Sequence, residues 1–318
     1  MKYRQITSGE RYAIGALRRR GLSARQIAAE LGRAHTTIAR EIARNSCKDG
    51  GYRPFKASQR TNGRRSRSRR NARISPETWV IVERYLRLDW SPEQVAGFLR
   101  VEGILRISHE SIYLRVWRDK IAGGDLWRHM RQASKKRRKR YGAYDSRGKV
   151  AGKRHISERP HEVEDRCTVG HWEIDTVLGT EHGRNSVLTL VERATGYTVM
   201  GKLERHCAAD TVARTVELIE RDPEGFTTIT SDNGSEFHSY KQIEAVTGVE
   251  FYFATPHHSW ERGTNENTNG LIRQYLPKKT SQAHVTQADC DRIAAKLNAR
   301  PRKRLGYKTP EECYAATK

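Results

Sequence analysis

The sequence changes character near residue 150, and that change limits what the chain can fold into. Residues 1–150 hold 37 of the 60 lysines and arginines but only 13 of the 37 acidic residues, whereas residues 151–318 hold 23 and 24. A front half of net +24 is thus joined to a back half of net −1. Positive charge at that density repels itself on a compact surface, so the front has the electrostatic footprint of a nucleic-acid binder and the back must build its own core. A length of 318 residues fits two or three domains. A mean hydropathy of −0.83 and the lack of any apolar run near the ~18 residues of a membrane span argue against insertion in a bilayer. Met1-Lys-Tyr-Arg opens no secretory leader, so a cytoplasmic location with no membrane is expected. Cys47, Cys167, Cys207, Cys290 and Cys313 are scattered with no C-x-x-C pair, which speaks against a disulfide framework or a zinc ribbon.

The basic half reads as two helical units. Thr7-Ser-Gly-Glu10 and Ser23-Ala-Arg-Gln26 are capping boxes, in which each cap hydroxyl and the Glu or Gln three residues on satisfy each other's backbone donors. They open helices with Ile14 and Leu17, then Ile27, Ala28 and Leu31, facing inward. Gly32 turns the chain into a third helix over 35–44 with Ile38 and Ile42 inward. Thr36, Thr37, Arg40 and Arg44 are left outward, the helix-turn-helix layout whose last helix enters a major groove. An ordinary three-helix bundle is the plainer alternative. A similar unit follows, with a helix over 76–88, a start signal at Ser91-Pro-Glu-Gln94, and a helix over 109–117 with Ile112 and Val116 inward. It is read either as a second DNA reader or as a structural or dimerising bundle. Arg64 and Arg65 open a basic run over 64–73, and Lys135, Lys136, Arg137 and Arg138 lie in another over 134–140. Neither run has apolar periodicity, so both are expected to be flexible until they meet phosphate.

From about residue 164 the pattern becomes strand-like. Strands are expected over 172–178, 186–192 and 196–203, a helix over 208–221, a strand over 226–230, a helix over 236–247 and a strand over 250–254. Two helices follow, over 262–276 and 287–299. Three strands in a meander followed by helix, strand, helix, strand and helices is the ribonuclease-H-like order. The expected fold is therefore multidomain: all-α helix-turn-helix units followed by an α/β ribonuclease-H-like domain on a mixed five-stranded sheet. Expected boundaries are 1–50 (helix-turn-helix), 51–74 (basic linker), 75–120 (second helical unit), 121–163 (basic flexible linker) and 164–318 (catalytic domain).

Three carboxylates fall on this scaffold where metal-dependent chemistry would need them. Asp175 sits within the strand His171-Trp-Glu-Ile-Asp-Thr-Val-Leu178. Asp232 follows the fourth strand, where Asn233-Gly234 permits a sharp turn. Glu266 lies early on a helix. Such a trio can converge on a pair of Mg²⁺ ions. A charge amid Trp-Glu-Ile-Asp-Thr-Val-Leu is costly to bury without a partner. Asn269 and Arg273 follow Glu266 on the same helix face and are read as DNA contacts, with Gly270 allowing close approach of a backbone. Glu173 and Glu236 lie beside the two aspartates, and Glu173 is read as alternating to the opposite strand face, away from metal. His257-His258 is a candidate lining of the DNA path.

The segments His171-Trp-Glu-Ile-Asp175, Ser231-Asp-Asn-Gly-Ser-Glu-Phe237 and Trp260-Glu-Arg-Gly-Thr-Asn-Glu-Asn-Thr-Asn-Gly270 resemble the signature blocks of integrase-type transposases, above all the insertion-sequence-thirty family. Thirty-three residues separate Asp232 from Glu266, as in that family, and Leu297-Asn-Ala-Arg-Pro-Arg-Lys-Arg-Leu-Gly-Tyr-Lys-Thr-Pro310 is similar to its closing segment. The resemblance implies a bacterial, nucleoid-associated DDE transposase that binds the terminal inverted repeats of its element and performs direct strand cleavage and transfer. It implies Asp175, Asp232 and Glu266 as catalytic and metal-binding residues, with two Mg²⁺ per site and Mn²⁺ as a substitute. The implied partners are double-stranded DNA, as inverted repeat and as target, and further copies of the chain in at least a dimer. A helix-turn-helix regulator without catalysis and a ribonuclease-H-type nuclease are the competing readings.

Overall fold

The computed structural model describes residues 5–69, 74–131, 152–180, 184–256 and 258–317, and the chain gathers into two compact units, 1–79 and 80–318. In the first unit, α1 (Ser8–Arg19), α2 (Ala24–Glu30) and α3 (His35–Asn45) enclose Ile14, Leu17, Ile27, Ala28 and Ile38. Both expected capping boxes are formed, Thr7 with Glu10 and Ser23 with Gln26. Arg11 ties α1 to Glu41 of α3 at 2.7 Å, and Arg33 reaches back to Glu10 at 2.8 Å.

The 51–74 stretch, expected as a basic linker with a flexible run from residue 64, carries α4 (Pro54–Arg69) over most of its length. Pro54 suits the first turn of a helix, and Ala57 is fully buried in the same core as Tyr52. Arg60 donates to the carbonyl oxygens of Asn45 (3.0 Å) and Ser46 (2.5 Å). Arg64 donates to the Asn45 side chain at 2.6 Å. Arginines at a helix C-terminus satisfy its orphan carbonyls and its dipole, so cations without apolar periodicity can still fix a helix.

α5 (Pro76–Arg87) spans the boundary between the units. α6 (Pro92–Val101) and α7 (His109–Ile121) follow, with Val82, Leu86, Val95, Leu99, Ile112 and Val116 buried. These helices are not a free-standing segment. Asp89 accepts from Tyr275 (3.1 Å) and Lys296 (3.0 Å) and pairs with His129 (2.8 Å), while Gln94 donates to the Pro301 carbonyl at 2.8 Å. Gly97 of α6 faces the Tyr307 ring so closely that a Cβ would lie 1.9 Å from it. The expected 121–163 linker also has ordered ends. Leu126 is buried, and Arg159 is buried with its guanidinium on Thr230 Oγ1 at 2.9 Å. His155 forms a bridge beside Phe253. The apolar and hydrogen-bonding residues at either end dock, and residues 132–151, with Lys135, Lys136, Arg137 and Arg138, lie outside the described residues.

After the short α8 (Glu162–Asp165) come β1 (His171–Val177), β2 (Arg184–Glu192), β3 (Thr198–Arg205), α9 (Ala208–Glu220), β4 (Thr228–Ser231), α10 (Tyr240–Thr247), β5 (Glu250–Phe253), α11 (Gly263–Ile272), α12 (Gln287–Asn298) and α13 (Pro310–Ala315). The sheet order is β3-β2-β1-β4-β5, with β1–β2 and β2–β3 antiparallel and β1–β4 and β4–β5 parallel. This is the mixed five-stranded sheet expected of a ribonuclease-H-like core. Trp172 and Ile174 face one core with Leu218, Ile219, Tyr240 and Ile243; Val177 and Val187 face the other with Leu271, Ile272 and Ile293. Side chains alternate along a strand, so Glu173 and Asp175 share the Val177 face, beneath α11. The expectation that Glu173 points away from Asp175 was therefore wrong, since residues two apart lie on the same side. Among the described residues no helix is long and apolar enough to cross a membrane.

Candidate active site

Asp175 and Asp232 are brought level by the register of two parallel strands. Glu173 pairs with Thr230 across β1 and β4, and Asp175 and Asp232 each lie two residues beyond that pair, at the same end of the two parallel strands. Asp232 follows the end of β4 and accepts the Gly234 amide at 2.9 Å, which fixes the turn. Asp175 accepts the Thr176 amide at 2.9 Å and the Asn269 side-chain amide at 2.8 Å. Burial pushes its carboxyl up to about 6; Asp232 and Glu236 add repulsion, and the Arg262 guanidinium opposes the rise.

Arg262 joins the two aspartates. It lies at the end of a 3₁₀ turn, Ser259–Arg262, immediately before α11. Its guanidinium stands 3.1 Å from Asp232 Oδ2 and 3.8 Å from Asp175 Oδ2, and it donates to the Ile174 carbonyl at 3.1 Å. Sequence reasoning missed this role, although Arg262 is the sole basic residue of the third signature block. It also missed a polar cluster behind Asp175. There Glu236, nearly buried, accepts from Thr176 Oγ1 at 3.0 Å and lies 3.1 Å from His206 Nε2.

Glu266 projects from the first turn of α11 and is exposed. Among the described residues no three His, Cys, Asp or Glu side chains form a closed metal-binding group, so Glu266 does not complete a set with the aspartates here. α11 is held against β1 on both sides of Glu266. The Asn265 amide donates to Glu173 at 2.8 Å, and the Asn269 side chain donates to Asp175. Glu173 is wholly buried on Arg193 at 2.6 Å, which leaves it structural work rather than ligation. Asn269, expected to touch DNA, donates its side-chain amide to Asp175 in this structure. Arg273, expected to hold a phosphate, spends its guanidinium on the carbonyls of Leu178 (3.0 Å) and Leu276 (3.4 Å); burial lowers its pKa and Asp175 opposes this. His258 stacks on Trp260 with ring centroids 4.3 Å apart, and His257 lies outside the described residues.

In the first unit, Thr36, Arg40 and Arg44 of α3 are exposed and Thr37 is half-buried. Thr37, Arg40, Arg44, Arg64 and Arg65 line one groove of about 550 Å³. Within it Arg64 is engaged by Asn45 and Arg65 by Gln5, whereas the side chains of Arg40 and Arg44 make no hydrogen bond or ion pair among the described residues. α7, the corresponding helix of the second helical region, exposes Tyr113, Leu114, Trp117 and Ile121, an apolar face ill suited to phosphate.

Comparisons with known proteins agree with this arrangement. Residues 2–45 match a helix-turn-helix domain family and residues 165–259 an integrase core domain family. The chain is 39% identical over 310 residues to the transposase for insertion sequence element IS4351 of Bacteroides fragilis, covering 97% of this chain and 95% of that one. It is 37% identical over 325 residues to the transposase for IS1086 of Cupriavidus metallidurans, covering 99% and 95%. It is 36% identical over 323 residues to transposase InsI for IS30A of Escherichia coli K12, covering 96% and 82%. A non-catalytic regulator has no use for two level carboxylates in an integrase core, and relatives matched along nearly their whole length are transposases; the chain belongs to the IS30 family of DNA transposases.

Proposed function

We propose that Asp175, Asp232 and Glu266 form the catalytic centre, hold two Mg²⁺ ions (with Mn²⁺ as a substitute), and act on DNA at the terminal inverted repeats of the element. The observation that supports this reading is that Asp175 on β1 and Asp232 just past the end of the neighbouring parallel strand β4 both have their Oδ2 atoms near one positive charge, Arg262. An all-oxygen donor set that gathers a guanidinium also suits a hard divalent cation, and Glu266 on α11 supplies a third carboxylate. When bound, such cations lower the pKa of a water or a 3′-hydroxyl and offset the charge that develops on a phosphodiester in cleavage and strand transfer.

The chain's own residues organise that chemistry. The Thr176 amide and Asn269 orient Asp175, the Gly234 amide orients Asp232, and the bonds of Asn265 and Asn269 hold α11, the helix that carries Glu266, against β1. Thr36, Thr37, Arg40 and Arg44 read the DNA end from α3, and the basic residues Lys135, Lys136, Arg137 and Arg138 add sequence-independent attraction. Two ends must be held together for transposition, so the working form is a homo-oligomer of at least two chains, in the bacterial cytoplasm on the nucleoid.

Asp175→Asn, Asp232→Asn and Glu266→Gln each test the assignment. Each is expected to abolish Mg²⁺-dependent cleavage and joining of an end-bearing duplex while leaving gel-shift affinity unchanged. Undiminished cleavage in any one variant removes that residue from the centre.

A further inference from the structure

The guanidinium of Arg262 lies between the two aspartates proposed to hold metal, 3.1 Å from Asp232 Oδ2 and 3.8 Å from Asp175 Oδ2. Its side chain is only 13% exposed and is anchored by the Ile174 carbonyl of β1, so the contact is built into the fold. Two partly desolvated carboxylates near one guanidinium repel each other, and a permanently charged planar fork relieves the repulsion. A divalent ion relieves it as well. A carboxylate oxygen can hold more than one partner, but a guanidinium and a divalent ion brought to the same pair of carboxylates repel each other, so each weakens the other's hold.

We infer that Arg262 is a positioning residue that holds Asp175 and Asp232 in register before metal arrives and competes with the divalent ion for them. Metal loading then loosens the guanidinium's hold on the two carboxylates. The inference rests on the reading of Asp175 and Asp232 as metal-binding residues and adds an internal competitor to it. The cost of that competition is a weaker apparent affinity for metal; its benefit is a carboxylate pair kept paired and oriented while empty.

The test uses the full chain without DNA and Mn²⁺ as the probe, followed by calorimetric titration and by the electron paramagnetic resonance of free Mn²⁺. Arg262→Gln is expected to bind Mn²⁺ about tenfold more tightly than the parent, the fold-change that ~1.4 kcal/mol of lost competition corresponds to. Arg262→Lys, the more conservative change should the glutamine variant fail to fold, is expected to shift affinity the same way by less, because an ammonium cannot bridge both carboxylates as a fork does. Asp175→Asn is expected to lose this binding. Unchanged or weakened Mn²⁺ affinity in the folded Arg262 variants, with Asp175→Asn still defective, overturns the competition alone. Full binding by Asp175→Asn overturns the metal site itself and the competition with it.

Discussion

Asn269 donates its side-chain amide to Asp175 Oδ2 at 2.8 Å, fastening α11 to β1 at the carboxylate itself. Thr189 Oγ1, 3.2 Å from the Asp175 carbonyl, also stands 3.4 Å from Asn269 Oδ1, so one hydroxyl of β2 adjoins both partners. Glu266 lies three residues earlier on the same helix, so this contact and the Asn265–Glu173 bond together fix where α11 stands relative to Asp175. Asn269→Ala is expected to slow strand cleavage by about ten- to a hundredfold, the range for losing a hydrogen bond to a charged group. DNA affinity should be unchanged. Asn269→Asp should be worse, because it sets a second anion against Asp175. Wild-type cleavage rates in both variants, at saturating Mg²⁺, would show that Asn269 positions nothing.

Glu173 and Arg193 form a pair in which both side chains are almost completely removed from solvent, 2.6 Å apart, and Glu173 also accepts the Asn265 amide. Removing one member leaves the other charged and buried. Glu173→Gln is expected to destabilise the second unit by about 3 kcal/mol, the lower end for breaking a buried pair. Chemical denaturation followed by tryptophan fluorescence reads this directly, since Trp172 adjoins Glu173 in β1. A change within ~0.5 kcal/mol, typical of surface sites, would mean that the pair is spectator chemistry.

Local rules carried most of the fold and only part of the site. Capping boxes at Thr7, Ser23 and Ser91 act over four residues, so their partners are visible in the string. The strands of the sheet announce themselves by the same short-range logic of alternating apolar residues. Arg262 was not legible because its partners are 30 and 87 positions away, and only the β1–β4 register creates the place it fills. α4 was hidden for the same reason: Arg60 and Arg64 look like a solvated charge run until the end of α3 supplies carbonyls for them. The face of Glu173 was legible, since a two-residue spacing decides it, and was misread. For Asn269 and Arg273 the sequence shows polar residues on a helix near the site but not the bonds they make to Asp175 and to the carbonyls of Leu178 and Leu276, whose partners lie far away in the chain.

The arginines around the first-unit groove separate by task. Arg40 and Arg44 are exposed on α3, whereas Arg64 is spent on Asn45 Oδ1. Arg40→Ala and Arg44→Ala are expected to leave the melting temperature within about 1 °C, as surface changes do, and to reduce preference for the cognate end. Arg64→Ala is expected to cost about 1 kcal/mol of stability through the lost cap of α3. Competition gel shifts with specific and random duplexes, run beside thermal melts, separate the two. Equal stability loss at all three positions would contradict the division.

Glu10 has its carboxyl lowered to about 2, chiefly by hydrogen bonds from Arg33, with burial opposing and Thr7 reinforcing the shift. The pair is only partly exposed, with Arg33 Nε 2.8 Å from Glu10 Oε1. A carboxylate held below its unfolded value of 4.5 contributes stability that is complete above that pH and is lost as pH falls toward 2. After allowing for solvent screening, Glu10→Gln should destabilise the first unit by about 1–2 kcal/mol at pH 7. The penalty should shrink steadily between pH 4.5 and 2, because the parent then loses the advantage that the variant never had. Paired denaturant titrations of parent and variant across that range measure the difference at each pH. A penalty that stays constant down to pH 2 would mean that the charge of Glu10, and with it the ion pair with Arg33, adds nothing.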